Sequence, residues 1–213
     1  MKLHWSPRSP FVRKVMIVAH ERGLIERLDC VRTVAAMTTP HAELMRDNPL
    51  SKIPTLVLDD GTTLYDSPVI CEYLDALDGK PQLFPLDRKR RILALRRQAL
   101  GDGFLDLLVL ARNERLREQP SQLHLTNAAV RSAAVLASLE READALAASA
   151  FDIGHIAIGC ALSYLDFRFA DQDWRKDNPR LAIWHAVFAA RGHRCGRRFR
   201  SMIPRACTHN CMG

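Results

Sequence analysis

A proline stands where a buried strand should begin. The stretch LSKIPT places Pro54 directly before the apolar, β-prone run 55–58, and a turn then leads into a second such run at 62–65. Proline has no N–H to donate, so within sheets it occupies the first residue of a strand, an edge or a cis bend. A cis bend would leave the backbone of Ile53 free. Ile53 is therefore a candidate for main-chain contact with something other than a neighbouring strand.

Two serines stand at predicted helix N-termini. Ser67 follows Asp66 at the start of a helical segment, where the backbone N–H groups and the helix dipole attract a carboxylate. Ser9 precedes Pro10, which is favoured at the first position of a helix. Serine also caps helices well. Each of these serines is thus either a plain helix cap or a group that binds a ligand.

Cysteines and histidines do not predict a metal site. None of the six cysteines forms a C-x-x-C pair, and the three in the body of the chain, Cys30, Cys71 and Cys160, lie in apolar segments as expected for buried, reduced thiols. His20, His41 and His124 lie in polar surroundings with no cysteine or carboxylate at ligand spacing. The tail contains His193, Cys195, Cys207, His209 and Cys211, whose spacing is irregular. We therefore expect no metal.

The positive charge of the chain is concentrated at its end. The formal net charge is +7, but residues 192–213 hold five arginines and no acid, which leaves 26 minus 24, or +2, for the remainder. A specific nucleic-acid partner is not expected from such a distribution. No apolar run approaches the length of a membrane span, and the first residues lack the apolar core of a signal peptide. We expect a cytoplasmic protein with no membrane partner.

Secondary-structure signals change character along the chain. The first 78 residues mix strand and helix patterns in the order β-α-β, a connecting segment, then β-β-α, whereas residues 88–191 carry helical patterns only. The predicted strands are 2–5, 28–34, 55–58 and 62–65, and the predicted helices are 10–23, 66–77, 88–118, 127–148, 153–169 and 179–191. Residues 79–87, with two prolines and a glycine, form the linker. The tail is 192–213.

Three motifs, and the order in which strands and helices follow one another, resemble those of the cytosolic glutathione S-transferases over residues 1–191. NPLSKIPTL is similar to N-P-x-x-K-I/V-P, LYDSPVICEYLD to E/D-S-x-x-I-x-x-Y-L, and SPRSPFVRKV to the S/C-P-F/Y-x-x-R-V opening of serine-type and omega-like members. The stretch beginning at Asp152 resembles the capped central helix, with His155 in place of the usual acid. The resemblance implies an α/β thioredoxin-like N-terminal domain with a mixed four-stranded sheet, and an all-α C-terminal domain.

The resemblance also implies how glutathione would be held. A cis bend at Pro54 exposes the backbone of Ile53 to the cysteinyl part of the tripeptide. Ser67 and the N–H groups beside it bind a carboxylate, and Asp66 accepts hydrogen bonds from the α-ammonium. Lys52 reaches the glycyl or γ-glutamyl end as a point charge.

The same comparison places Ser9 at the position of the activating hydroxyl. A hydroxyl aimed at the glutathione sulfur from a helix N-terminus favours the thiolate, which is the reactive form. Ser6 is the nearby alternative. Serine rather than cysteine at position 9 argues for attack by glutathione itself and against a mixed disulfide.

The function implied is that of a glutathione transferase acting on small hydrophobic electrophiles, in the manner of detoxification enzymes. A homodimer is expected, with the third helix of one subunit against the long helices of the other. A second class stays open, namely a non-catalytic binding or regulatory protein similar to the stringent-starvation proteins. The tail departs from the family pattern, and no motif identifies the electrophile.

Overall fold

The computed structural model of the chain describes residues 1–36 and 38–202, with side chains as far as residue 191. The strands are β1 Lys2–Trp5, β2 Asp29–Arg32, β3 Thr55–Val57 and β4 Thr63–Leu64. The helices are α1 Pro10–Glu21, α2 Ala42–Asp47, α3 Ser67–Ala76, α4 Arg88–Arg115, α5 Gln122–Ala148, α6 Ile153–Arg168 and α7 Pro179–Met202. Among the described helices none is long and apolar enough to cross a membrane.

The four strands form one mixed sheet in the order β2-β1-β3-β4. Strand β1 is parallel to β2 and antiparallel to β3, and β4 is antiparallel to β3. This sheet, covered by α1 and α3 and followed by a helical region, confirms the predicted fold class. Because His4 pairs with Thr55 and Leu56 with Leu64, the end of β1, the beginning of β3 and the end of β4 meet at one edge of the sheet.

Several elements differ from the sequence prediction. Helix α2 was not predicted, and it buries one residue, Leu44, so its pattern is too short to show a helical period. Helix α5 begins at Gln122, five residues before the predicted start, because Ser121 caps it. Helix α7 runs to Met202 instead of ending at residue 191, and arginine, the commonest residue of 191–200, is a good helix former. Residues 203–213 of the predicted tail lie outside the described part. The division into units 1–78 and 88–191 stays a prediction.

Helices α4 and α6 make the central packing of the helical region. Gly101 of α4 lies against α6, where a Cβ added to it would be 2.6 Å from the carbonyl carbon of Ala157. Gly154 of α6 in turn faces Arg97, whose Cβ would lie 2.5 Å away from an added Cβ. Glycines let two helices approach until their backbones touch. Residues 153–162 of α6 are all buried, as expected for the central helix.

A capping box begins helix α6. The Asp152 carboxylate accepts the N–H groups of Gly154 and His155 at 2.9 and 3.2 Å, and His155 Nδ1 accepts the Asp152 N–H at 3.2 Å. Histidine therefore closes the box, although glutamate or glutamine is the usual residue there. The next N–H, that of Ile153, donates to the Leu83 carbonyl at 3.0 Å and ties the helix to the segment between α3 and α4.

One buried carboxylate organises the connection between α3 and α4. Asp75, fully buried near the end of α3, accepts the backbone N–H groups of Gln82, Leu83 and Phe84 at 2.8–3.1 Å. Arg22, at the end of α1, places its Nε 3.2 Å from the same carboxylate. A buried charge is tolerated only when it is paired and hydrogen-bonded, and these partners meet that need. The part of the connection between Pro81 and Pro85 is thereby held in one conformation.

His185 of α7 lies in an aromatic cluster. Its ring is 4% exposed and packs against Trp174 at 5.7 Å and Phe188 at 6.2 Å between ring centroids. Its Nε2 lies 3.1 Å from Ser163 Oγ of α6. Burial lowers the pKa of this imidazole to about 4, although the nearby carboxylate of Asp166 acts in the opposite direction. The ring is therefore neutral over the ordinary pH range.

Ser163, His185 and Asp166 are the residue types of a hydrolytic triad. Their hydrogen bonds, however, do not allow His185 to act as a base toward Ser163. Arg175 donates to both Asp166 oxygens at 2.7 and 2.6 Å, and its guanidinium lies 3.5 Å from His185 Nδ1. The Asp166 carboxylate is farther from Nδ1, at 3.8 Å. Arginine can only donate, so Nδ1 is the acceptor and the ring proton is on Nε2. That nitrogen cannot then take a proton from Ser163.

Replacing Gly101 with alanine tests the helix contact. We expect Gly101→Ala to lower the free energy of unfolding by about 1–3 kcal/mol, because the new methyl group meets the backbone of α6. Gly103→Ala is the matched control on the same helix, since nothing lies within 4 Å of its added Cβ. There the better helix propensity of alanine should raise stability by up to about 1 kcal/mol. Urea unfolding measures both, and equal effects at the two positions would contradict the close approach.

The buried imidazole predicts a pH dependence of stability. The unfolded chain takes up this proton near pH 6.5 and the folded protein only near pH 4, so the native state loses stability as pH falls between these values. The contribution of His185 is about 3 kcal/mol over that window. His185→Phe should show a shallower loss in urea unfolding from pH 7 to pH 4, whereas exposed His124→Gln should follow the wild type. Parallel curves for wild type and His185→Phe would be the opposite result.

Candidate functional site

The predicted site residues come from three chain segments that end at the same edge of the sheet. Ser6 and Ser9 follow β1, Lys52 to Pro54 precede β3, and Asp66 with Ser67 follow β4. Since the end of β1, the beginning of β3 and the end of β4 share this edge, the strand pairing brings the three segments together. Their adjacency is a property of the sheet topology.

The segment before β3 presents unpaired main chain. The Ile53–Pro54 peptide bond is cis, and Ile53 is half-buried. Within the described part of the chain, neither the N–H nor the C=O of Ile53 forms a hydrogen bond to another backbone group. Lys52 beside it is exposed. A donor and an acceptor on one residue can pair with an extended ligand backbone, as a neighbouring strand would.

Helix α3 offers its N-terminus at the same edge. Asp66 is the N-cap residue, but its side chain makes no capping hydrogen bond and is exposed. Ser67, which is 1% exposed, is the first helical residue, and Pro68 follows it. The first N–H groups of a helix have no partner within the helix. This end of α3 can therefore accept a carboxylate while Asp66 stays available for a cation.

Ser9 caps helix α1 and keeps a hydroxyl proton to donate. Its Oγ accepts the N–H of Val12 at 3.2 Å, and the side chain is half-buried. An oxygen that accepts a hydrogen bond at the positive end of a helix is a stronger donor toward an anion. The Ser6 Oγ likewise accepts a backbone N–H, that of Arg8 at 3.4 Å, but it does so in the turn between β1 and α1 and not at a helix N-terminus.

Helix α4 brings two carboxylates to this region that sequence reasoning missed. Lys14 Nζ donates hydrogen bonds to both carboxylate oxygens of Asp102, each at 2.6 Å. Burial raises the pKa of Asp102 and of Asp106, one turn farther along. Lys52 lowers the pKa of Asp106 and Asp66 raises it, so both groups lie near that carboxylate. The i, i+4 spacing of the two acids was the only signal available.

The three cysteines whose side chains are described offer no reactive thiolate, because burial raises the pKa of each. Burial raises the pKa of Cys71 to about 12 and that of Cys160 to about 11, and both thiols are fully buried. Cys30 was expected to be buried but is half-buried, because β2 is an edge strand. Among the described residues, no three His, Cys, Asp or Glu side chains gather in a way that could hold a metal ion.

Comparisons with known proteins point to one family. Residues 8–77 match the family described as glutathione S-transferase, N-terminal domain, and residues 113–186 match glutathione S-transferase, C-terminal domain. The uncharacterized GST-like protein YibF of Escherichia coli K12 is 31% identical over 186 residues, which cover 85% of this chain and 90% of YibF.

Solved structures agree with these matches. A glutathione transferase family member from Pseudomonas fluorescens Pf-5, crystallised with bound glutathione, superimposes with a TM-score of 0.84 at 42% identity. A structure from the same organism with bound S-(propanoic acid)-glutathione gives 0.80 at 39% identity. Each comparison covers 88% of this chain and 93% of the other. With both family domains matched in order on a four-stranded mixed sheet and a helical region, the chain belongs to the glutathione S-transferase family.

Proposed function

We propose that this protein is a glutathione transferase that conjugates the glutathione thiolate to small, apolar electrophiles in the cytoplasm. The observation that carries the proposal is the Ser9 hydroxyl at the N-terminus of α1, on the same sheet edge as the unpaired backbone of Ile53. The relatives crystallised with glutathione and with an S-substituted glutathione support it. A role in detoxification is part of this proposal.

Each end of glutathione has a complementary group in the proposed site. The cysteinyl backbone pairs with the N–H and C=O of Ile53. The γ-glutamyl carboxylate docks on the N-terminus of α3 at Ser67, and its ammonium lies against Asp66. Lys52, which is exposed and carries a mobile charge, binds a carboxylate of the tripeptide. Together these contacts would leave the sulfur facing Ser9.

The chemical step needs the thiolate and little else. The Ser9 O–H donates a hydrogen bond to the sulfur and lowers the pKa of the bound thiol, and the dipole of α1 acts in the same direction. The thiol proton passes to solvent water. The sulfur lone pair then forms a C–S bond at an electrophilic carbon. In a substitution, the leaving group departs with the electrons of its bond to that carbon. In an addition, the electrons of an activated double bond move to its far end, which is then protonated by water. Ser9 itself forms no covalent bond.

Replacing Ser9 with alanine tests this assignment. We expect Ser9→Ala to lower kcat with a chlorodinitrobenzene by about 100-fold, since it removes a donor to the reacting anion. The Kd for glutathione, from calorimetry, should change by less than about threefold. The pKa of the bound thiol, followed by the ultraviolet absorbance of the thiolate, should rise.

Two controls separate catalysis from folding. Ser121→Ala removes the cap of α5, which has the same serine-to-N3 geometry, and should cost stability without altering the thiol pKa. Ser6→Ala should leave kcat unchanged. If Ser6→Ala lost activity and Ser9→Ala kept it, the hydroxyl would be that of Ser6. Tight glutathione binding with no turnover of any electrophile would favour the non-catalytic binding protein.

The proposal includes a homodimer. A groove of about 420 Å³ runs between α4 and α5, lined mainly by the apolar side chains of Leu100, Phe104, Leu107, Ala134 and Val135. Val69 projects from α3 with 47% of its surface exposed. An apolar groove and an apolar knob on one chain are the two halves of a self-complementary interface. Helix α3 of one protomer would fill the groove of its partner.

Val69→Glu should break this dimer. In size-exclusion chromatography with light scattering, we expect the wild type at twice 24.1 kDa and Val69→Glu at 24.1 kDa, because a buried, unpaired carboxylate is costly. Val187→Glu is the matched control, since Val187 is 69% exposed on α7 and does not line the groove. That variant should remain dimeric. A wild-type protein that runs as a monomer at micromolar concentration would refute this part of the proposal.

A further inference from the structure

The segment between α2 and β3 has no regular secondary structure, yet it carries Lys52 and Ile53. A surface segment of this kind is mobile unless polar contacts hold its backbone. Asn48, at the end of α2, supplies such contacts, and it is only 1% exposed. Its role is distinct from that of the residues proposed to bind glutathione, because its own side chain is turned into the protein.

The amide of Asn48 holds both ends of this segment. Its Nδ2 donates to the Lys52 carbonyl at 3.1 Å and to Thr55 Oγ1 at 2.9 Å, and its Oδ1 accepts the Leu50 N–H at 3.0 Å. The Thr55 hydroxyl donates to the same Lys52 carbonyl at 2.8 Å. The Lys52 carbonyl therefore receives two hydrogen bonds from buried side chains.

The Lys52 carbonyl controls the direction of the Ile53 N–H. The two groups belong to one planar peptide unit, in which C=O and N–H point to opposite sides when the bond is trans. Fixing the oxygen on Asn48 and Thr55 thus aims the Ile53 N–H away from the protein interior. This is the donor that the cysteinyl part of glutathione would use.

Asn48 is itself held by the sheet. The preceding residue, Asp47, accepts hydrogen bonds from Lys2 Nζ at 2.6 Å and from His4 Nε2 at 2.8 Å, both on β1. These two contacts lower the pKa of the Asp47 carboxyl, so it is ionised at neutral pH. His4 is in turn 2.9 Å from Thr33 Oγ1, beyond β2. These contacts tie the end of α2, and with it the backbone of Asn48, to the central strand β1.

We propose that Asn48 is a positioning residue that sets glutathione affinity by orienting the Ile53 N–H through the Lys52 carbonyl. The inference rests on the proposed function, since it assumes that Ile53 binds the tripeptide. A merely structural asparagine would affect stability and leave the affinity of the folded protein unchanged. The two roles are separated by measuring Kd under conditions where every variant is folded.

Asn48→Asp is the sharpest variant, because it keeps the shape and the acceptor for Leu50 but loses both donors. We expect the Kd for glutathione to rise at least about tenfold, with kcat at saturating glutathione within about threefold of wild type. Asn178→Asp is the matched control. Asn178 is also buried and donates through Nδ2 to a backbone carbonyl, that of Trp174 at 2.7 Å, in the helical region. The Asn178→Asp variant should be less stable than the wild type and have the same Kd for glutathione.

A second pair of variants covers the case in which Asn48→Asp does not fold. Thr55→Val removes the other donor to the Lys52 carbonyl and should also raise the Kd for glutathione. Thr55→Ser keeps the hydroxyl and should have the wild-type Kd. If Asn48→Asp folds, a wild-type Kd in both Asn48→Asp and Thr55→Val would overturn the inference. If Asn48→Asp does not fold, a wild-type Kd in Thr55→Val would overturn it.

Backbone NMR distinguishes this failure from a failure of the proposed function. If wild-type protein binds no glutathione, the proposed function falls. The order parameter of the Ile53 amide then tests, without any ligand, whether Asn48 holds the Ile53 N–H in position. It should be that of a rigid backbone in the wild type and drop below about 0.6 in Thr55→Val or Asn48→Asp. An unchanged order parameter in these variants would contradict the role assigned to Asn48.

Discussion

The ammonium of Lys14 is fully buried, and its partner comes from another part of the fold. Lys14 lies on α1, which packs on the sheet, and Asp102 lies on α4 of the helical region. Separating the two would leave a charge in an apolar interior, which costs about 3–5 kcal/mol. The pair therefore holds α1 at one position relative to α4. Because Ser9 caps α1, the same contact fixes the position of the proposed catalytic hydroxyl relative to α4.

Much of the proposed site is main chain rather than side chain. The Ile53 backbone and the N-terminus of α3 would supply most of the contacts to the tripeptide, and neither depends on a particular side chain. The geometry of the Ile53 segment is maintained by Asn48, a buried polar residue that holds residues 50–55 and is not itself proposed to bind the ligand. Asp75 holds another irregular segment, 82–84, in a similar way. Such anchors explain how irregular segments can present backbone groups with the accuracy of a strand.

Close helix contacts and a helix cap organise the centre of the helical region. Gly101 and Gly154 let α4 and α6 approach until backbone meets side chain, and the Asp152 capping box fixes the start of α6. The neutral His185 packs among aromatic rings on the far side of the same helix. On α4 itself, Asp102 pairs with Lys14 of α1, and Asp106 lies near Lys52 and Asp66 of the proposed site.

The amino-acid sequence by itself determined the class of fold and the identity of the motifs. Pro54, Asp66, Ser67 and Ser9 could be picked out because proline, helix caps and turn residues act locally, through backbone geometry that a short stretch of chain specifies. The long helix α4 was predicted from its helical pattern, and α6 was predicted as the buried central helix because its segment is apolar over most of its surface. Helix α2 was missed, since six residues with one buried side chain carry no period, and the extension of α7 beyond residue 191 was missed as well.

Only the tertiary structure decided which residues meet. Lys14 and Asp102 are 88 residues apart in the chain, and no local rule predicts that a lysine in an apolar helix will be fully buried against that acid. Asn48 looked like part of a motif, whereas its contacts show that it holds the Lys52 carbonyl. Burial, pairing and pKa depend on the groups that folding brings close, and long-range packing sets those distances. The sequence names the candidates, and the packed structure determines the partner of each one.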